Sequence, residues 1–444
     1  MKKVFLLLLA FFFTIQSMTS FSAAADDGPF ALPVYVNGER KTVRAFDGEY
    51  EGNHYLSLTD FAAALSGTEK QFRFERVVSS TDGEYFSVSL HQPAVSASGA
   101  AGLPGFSSTV GLNLFRNRLL VDGMERKYYT HNPHNGDLYM SLVDMQLMLD
   151  LSAWPTQDGG ISLYLDVPFQ PDPEQLRAAG YFESMSGIYL ADAETGEVLF
   201  EQNGQKSVPV ASLSKLLSYL ILKEAIDAGE ISSNDTVRLS ERVQALSESV
   251  NGIIPMRAGM EVPFHELVEG MLIASSNESA LALAEHLCGD EATFVARMHS
   301  RAQELGLNSV LMYTCNGLPS YSMGSVPVKR QNYMNASDLF QLTRLILQKY
   351  PEITDITSIQ IAHMPSLNDY WTANSNPLVF NMTGITGLKT GNTNRAGYCV
   401  VVSMPIQAAD GHHNIVLVLL GAETADLRGQ AAEILLRYAK TRYQ

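Results

Sequence analysis

Residues 209 to 223 read PVASLSKLLSYLILK. Leu213, Leu216, Leu217, Leu220 and Ile221 recur at helical spacing, so the stretch is a helix covered by a core on most sides. Ser212 and Lys215 stand at its mouth, three residues apart, which places a hydroxyl and an amine on one face. The first turn of a helix offers unpaired N–H groups and the positive end of the dipole, and both favour a developing negative charge. An amine held against apolar walls gives up its proton more readily than one in water. A neutral Lys215 can then strip the hydroxyl and make Ser212 a nucleophile. Ser-x-x-Lys also arises by chance in long chains, and a lysine can extend its amine to solvent, so the pair needs company.

Two more stretches supply it. MLIASSNESALALAEHL (271 to 287) is an apolar helix end, then Ser275-Ser276-Asn277, then a second apolar helix. A polar tripeptide between buried helices is placed to face a cleft, where Ser275 can relay a proton and Asn277 can bind an amide. The plainer reading is an N-cap, with Ser276 or Asn277 opening the next helix. GLKTGNTNRAGYCVV (387 to 401) holds Lys389-Thr390-Gly391. A strand carrying a cation, a hydroxyl and a glycine that admits another backbone suits a carboxylate-ended substrate. The same residues also suit a hairpin turn at Gly391 to Asn394.

Outward from these motifs, the second half reads as one architecture. GIYLADAETGEVLFEQN (187 to 203) is a hairpin of alternating apolar residues. Helices dominate from about 209 to 350, two strands follow at 397–404 and 414–421, and a last helix starts near Ala425. Strands from both ends with helices between give an α+β domain, an antiparallel sheet packed by helices. Before it, VPFQPDPEQL carries three prolines and reads as a linker.

The front region repeats itself. VYVNGER, HYLSLTDFAAAL and EYFSVSL are answered by LLVDGMER, LYMSLVDMQLMLDL and GGISLYL. Each copy reads as a strand, an Asn-Gly or Asp-Gly turn, a short helix opened by Ser-Leu-x-Asp, and an alternating strand. His131 and His134 lie in an Asn/Pro/Gly-rich loop that reads as solvated rather than metal-binding.

Net charge is −16 over 444 residues, with 46% hydrophobic and 18% charged. That is globular rather than disordered, and no basic field is available to draw nucleic acid. Lys2 and Lys3, an apolar run from Val4 to Ile15 and the small residues Ser22 to Ala25 read as a secretory signal. The run is shorter than the roughly 20 residues that span a bilayer. Cys288, Cys315 and Cys399 are an odd, scattered set without C-x-x-C, expected to be small buried apolar residues, with one extracellular disulfide left open. His265-Glu266 lacks a second histidine one turn on, where Glu269 stands, so a helical zinc site fails.

Ser-x-x-Lys, Ser-x-Asn and Lys-Thr-Gly, in that order, mark the serine β-lactamases and penicillin-binding proteins. With SVPVASLSKLLSYLI, RAGMEVPFHELVEGMLIASSNESALALAEHL and GITGLKTGNTNRAGY, the stretch from about 180 to 440 resembles the D-alanyl-D-alanine carboxypeptidases. The front repeats resemble the small module named after the amine-oxidase N-terminal domain. The resemblance implies a β-lactamase/transpeptidase-like catalytic domain over 179–444. A signal over 1–25, a small α+β repeat module over 30–166 and a Pro-rich linker over 167–178 precede it. Many relatives instead carry an extra domain and an amphipathic helix after the catalytic domain.

Carried over residue by residue, the resemblance makes Ser212 the nucleophile, Lys215 its base, and Ser275 with Asn277 the relay and peptide-binding pair. Lys389 and Thr390, with Gly391 beside them, bind the terminal carboxylate, Ser212 and Asn392 lend backbone N–H groups to the oxyanion hole, and Arg428 assists the carboxylate. It implies peptidoglycan stem peptides as substrate, β-lactam antibiotics as covalent inhibitors, action outside the cytoplasm and no cofactor. The front repeats are a candidate surface for wall or protein contact. Three alternatives stay open on the residues alone. An endopeptidase would use the same groups, a β-lactamase would need a water-activating group such as Glu304 near Asn308, and an inert wall-binding protein would use none. Glu304 reads instead as the end of a helix stopped at Gly306.

Overall fold

The two copies of the front repeat build matching elements. In the computed structural model, residues 29–47, 54–80, 83–94, 119–126, 128, 130–131, 137–178, 181–321 and 329–443 are described. The apolar run at the N-terminus and the loop residue His134 lie outside them. The first copy contains β1 (Phe30–Val36), β2 (Glu39–Asp47), β3 (His54–Ser57), α1 (Leu58–Ala64), β4 (Phe72–Ser79) and β5 (Gly83–Leu90). The second contains β6 (Leu119–Val121), β7 (Met124–Arg126), β8 (Thr130–His131), β9 (Tyr139–Ser141), α2 (Leu142–Leu149), β10 (Ser152–Pro155) and β11 (Ile161–Tyr164).

Both first turns use positive φ at both central residues, Asn37-Gly38 and Asp122-Gly123, as a two-residue hairpin requires. Ser57 and Ser141 cap α1 and α2, each accepting from the N–H of the aspartate three residues on. The copies exchange strands. β11 lies parallel to β1, with Val34 opposite Ile161, and β5 lies parallel to β6, with Phe86 opposite Leu119. β3 and β9 pair reciprocally, Tyr55 with Ser141 and Ser57 with Tyr139. The outcome is a seven-stranded sheet, β10-β11-β1-β2-β3-β9-β8, and a four-stranded one, β4-β5-β6-β7. Leu32, Val34, Leu56, Phe61, Val88 and Met140 are buried together in the core of this module.

The Pro-rich connector carries α3 (Pro173–Ala178) and buries Phe169 and Leu176 against the second half. There β12 (Gly187–Asp192) and β13 (Val198–Gln202) form the hairpin. Four short pairs follow. These are β14 (Val208–Pro209) with β19 (Tyr333–Met334), β15 (Thr236–Arg238) with β16 (Glu261–Pro263), β17 (Ser320–Tyr321) with β18 (Lys329–Arg330), and β20 (Ile361–Met364) with β21 (Tyr370–Ala373). Among them run α4 (Lys215–Asp227), α5 (Glu241–Ser247), α6 (Phe264–Leu272), α7 (Asn277–Cys288), α8 (Glu291–Glu304), α9 (Ala336–Lys349), α10 (Ile353–Thr357) and α11 (Leu378–Asn381). The chain closes with β22 (Gly387–Thr393), β23 (Gly397–Ala408), β24 (Gly411–Ala422) and α12 (Ala425–Arg442).

β13-β12-β24-β23-β22 form one antiparallel sheet. β23 and β24 are apolar throughout their middle, at residues 399–402 and 415–420, where both of their faces are covered. Val400, Val402, Leu417 and Leu419 pack with Leu427, Ala431 and Leu435 of α12. Val401, Val416, Val418 and Leu420 face the other way, into the core of α4 to α9. Leu147 of α2 joins the α12 side, and Arg437 bonds Asp150 at 3.0 Å, so the repeat module rests on the closing helix. Cys315 and Cys399 are buried, Cys288 is only half-buried, and all three are free.

His413 of β24 ties the sheet edge to the chain end. Its ring nitrogens lie 2.9 Å from Asp192 Oδ2 and 3.1 Å from Asp410 Oδ1, and the ring stacks on Tyr443. The hydrogen bonds to Asp192 and Asp410 raise its pKa above the usual histidine value. The pairing therefore stabilises the fold fully below the unfolded value, about 6.5, and its contribution is lost as pH rises through the raised one. His413→Asn should lower Tm more at about pH 5.5 than at about pH 9; equal losses at the two pH values would contradict this.

Candidate active site

A 3-10 turn, Ala211–Ser214, precedes α4 and presents Ser212, so the α-helix begins at Lys215 itself. The tight turn is set by packing. Ala211 has φ 48, and the loop at Gly317 presses so close that a Cβ there would sit 2.1 Å from the Ala211 carbonyl oxygen. Gly317, with φ 89, is thus required twice over, by conformation and by contact.

Lys215 is wholly buried. Its Nζ lies 2.9 Å from Ser212 Oγ, 2.9 Å from Asn277 Oδ1 and 2.7 Å from the Asn316 carbonyl oxygen. Burial pushes its pKa down to about 7, against the opposing pull of Cys315 and Glu278. Two of the three neighbours can only accept. Asn277 is turned oxygen-first because its Nδ2 donates to the Asn251 carbonyl at 2.9 Å. A neutral amine has two N–H donors and one lone pair. With both donors aimed at Asn277 and Asn316, the lone pair is left facing the Ser212 hydroxyl.

Ser276 and Asn277 divide the two readings of their tripeptide. Ser276 caps α7, accepting from the Ser279 N–H at 2.9 Å, and Asn277 is the first helical residue and binds Lys215. Ser275 has φ 64, lines the cavity and makes no side-chain hydrogen bond among the described residues. No hydrogen bond joins it to the amine among the described residues.

β22 forms the opposite wall and runs straight through Lys-Thr-Gly; the turn comes later, at Asn394 to Ala396. Lys389 is 1% exposed and donates to the Thr390 carbonyl at 3.0 Å. It is not among the residues that line the cavity, whereas Thr390 and Gly391 are. Burial lowers its pKa well below the usual lysine value, helped by the charges of Lys215 and Arg428. Thr390 Oγ1 is 2.9 Å from Ser375 Oγ. Gly391 meets the nucleophile's turn directly, since an added Cβ would stand 2.9 Å from the Ser212 nitrogen and 3.1 Å from the Val210 oxygen.

Ser212, Asn251, Ser275, Asn277, Thr390, Gly391, Asn392 and Arg428 line one cavity of about 620 Å³. Arg428 is buried there without an ion pair among the described residues, and burial lowers its pKa. Glu304 is elsewhere, ending α8 in an exposed pair with Arg301. Among the described residues no group of three or more His, Cys, Asp or Glu is placed to hold a metal ion. Sequence reasoning missed Asn316, Ser375 and Asn251. Asn316-Gly317 carries a turn signal, but nothing local says that its carbonyl meets Lys215.

A buried lysine on a serine, an asparagine from a second helix and a Lys-Thr-Gly strand opposite them come together on a sheet-and-helix fold. The family model described as D-alanyl-D-alanine carboxypeptidase matches residues 177–424, more than half of the chain, and the chain belongs to that family. It is 31% identical over 264 residues to the D-alanyl-D-alanine carboxypeptidase DacF of Bacillus subtilis, covering 59% of this chain and 63% of DacF. It is 28% identical over 282 residues to DacD of Escherichia coli, covering 63% and 67%. The chain thus spans just under two thirds of DacF. Among solved structures, penicillin binding protein 6B from Escherichia coli aligns with TM-score 0.52 and 26% identity, over 62% of this chain and 80% of that one. A peptidoglycan synthesis regulatory factor (PBP3) from Streptococcus pneumoniae aligns with TM-score 0.53 and 26% identity, over 57% and 73%.

The close approach at Gly391 yields a test. Gly391→Ala must push the Ser212 turn away from β22, and small misplacements of reacting groups cost up to about 100-fold in rate. Labelling of Ser212 by a fluorescent penicillin should slow by about that factor in protein shown to be folded by circular dichroism; unaltered labelling would show that the strand and the Ser212 turn do not cooperate.

Proposed function

We propose that this protein is a serine D-Ala-D-Ala carboxypeptidase that releases the terminal D-Ala from peptidoglycan stem pentapeptides through an acyl-enzyme on Ser212. The observation that carries the reading is the 2.9 Å contact between the buried Lys215 amine and the Ser212 hydroxyl, with the lone pair oriented by Asn277 and Asn316.

The steps follow from the groups in the cavity. Ser212 Oγ attacks the carbonyl of the penultimate D-Ala while its proton passes to Lys215 Nζ. The carbonyl oxygen becomes an oxyanion, held by the N–H groups of Ser212 and Asn392. The C–N bond then breaks, and the leaving amine takes the proton from Lys215, with the unpartnered Ser275 hydroxyl in place to pass it on. Water cleaves the ester, using Lys215 as base again. Thr390 and Arg428 receive the terminal carboxylate, Lys389 adds positive field from behind the wall, and Asn277 binds the peptide backbone. A β-lactam presents a strained amide and a carboxylate to the same groups and would acylate Ser212. Family membership and the similarity to DacF and DacD support the reading.

With this substrate, the peptidase works outside the cytoplasm. The division into a repeat module over 30–166 and a peptidase over 179–444 belongs to the same proposal, supported by the separate core of the module. Its repeats are proposed as the part that contacts wall or partner.

Mass spectrometry of pentapeptide-containing wall fragments should show loss of one D-Ala with wild type and none with Ser212→Ala. Cleavage of cross-links instead would indicate an endopeptidase, and rapid turnover of benzylpenicillin a β-lactamase. Because Lys215 must be neutral to act, the acylation rate should fall as pH drops below about 7. A flat rate between about pH 5 and pH 9 would contradict its role as base.

A further inference from the structure

Glu278 follows Asn277 on α7 and is wholly buried. Among the described residues it has no ion pair. Its Oε1 accepts the N–H of Ile253 at 2.8 Å and also that of Ile254, while its Oε2 is buried without a partner. A buried carboxylate with one idle oxygen is costly unless it serves something. What it holds is the loop after α5. Val250, Asn251, Gly252 and Ile253 of that loop line the active-site cavity, and Val250 is fully exposed.

The loop in turn supplies the Asn251 carbonyl that receives Asn277 Nδ2. Without that carbonyl, the Asn277 amide can turn over and present its NH₂ to Lys215. A donor facing the amine would draw the lone pair to itself and away from Ser212. The orientation of one amide therefore decides where the base points, and the anchor of the loop decides the amide.

We propose that Glu278 is a positioning residue for Lys215, acting through the Asn251–Ile254 loop and Asn277, and through the charge of its own carboxylate. Among the described residues, the titratable neighbours acting on Lys215 are Glu278 from α7 and Cys315 from the loop before β17, and Lys215 in turn acts on Lys389 of β22. Burial and Glu291 raise the Cys315 thiol well above its usual value, so it stays neutral near pH 7. Lys389, where charged, opposes a proton on Lys215. With that thiol neutral, Glu278 is, among the described residues, the neighbour that favours the protonated amine.

The proposal rests on the serine-peptidase reading, and the experiment separates the two. The second-order rate of benzylpenicillin acylation is measured across pH for wild type, Glu278→Gln and Glu278→Ala, with folding checked by circular dichroism. Glu278→Gln keeps an acceptor for Ile253 and Ile254 but removes the charge. Its rate at high pH should stay within about threefold of wild type, with the acid limb displaced to lower pH. Glu278→Ala frees the loop and should lower the high-pH rate by about 100-fold, through the acylation step rather than through binding. An acid limb for Glu278→Gln that superimposes on wild type overturns the proposal, as does wild-type acylation by a folded Glu278→Ala. Should Glu278→Ala not fold, the limb of Glu278→Gln decides. No acylation of wild type at all would overturn the peptidase reading, and this proposal with it.

Discussion

One buried amine organises the second half of this protein. Lys215 loses water on every side and receives, in exchange, a hydroxyl, an amide oxygen and a backbone carbonyl. Each comes from a different part of the chain: the 3-10 turn, the start of α7 and the loop after α8. A charged ammonium would be penalised in such a place, and the pKa near 7 is the measure of that penalty. The fold must hold two remote segments, beside the adjoining turn, within hydrogen-bond reach of one atom, and most of its architecture can be understood as the means of doing so.

The sheet provides the rigidity. β23 and β24 are sandwiched between α12 and the larger helical core, so β22 has a fixed neighbour on one side and the nucleophile's turn close by. The 3-10 turn with α4 and the start of α7 bring the serine, the lysine and the asparagine to the other wall. The glycines at 317 and 391 mark the two places where backbones meet with no room for a side chain. Lys389 shows that a motif residue can be buried behind the cavity rather than line it, with its pKa held well below the usual lysine value by burial.

Much of this was legible in the sequence because it is local. The hairpin at 187–203, the last helix from Ala425, the Ser57 and Ser141 caps and the strand carrying Lys-Thr-Gly all follow from periodicity and turn residues. Continuous apolar runs at 397–404 and 414–421 marked strands but understated their length, because the strands continue through the mixed residues at 405–408 and 411–413, where the apolar run is broken. The 3-10 turn was not visible, since it comes from the pressure of Gly317 on Ala211 across about a hundred residues of chain. Asn316 and Ser375 contribute through a carbonyl and a hydroxyl placed by tertiary packing, which no short pattern encodes. The pairing of β11 with β1 was hidden for the same reason, although the repeat itself was plain.

That strand exchange has a consequence for how the front module comes into being. β1 needs β11 as its neighbour, and β11 ends only a few residues before the connector to the peptidase. During synthesis, the first strand to emerge waits unpaired on that side until the last one arrives. Neither repeat can close a sheet by itself, so severing the chain between them would leave two fragments, each the missing complement of the other. Completion of the module is thereby tied to arrival at the threshold of the second half, as a clasp fastens only when both ends of a strap are in hand.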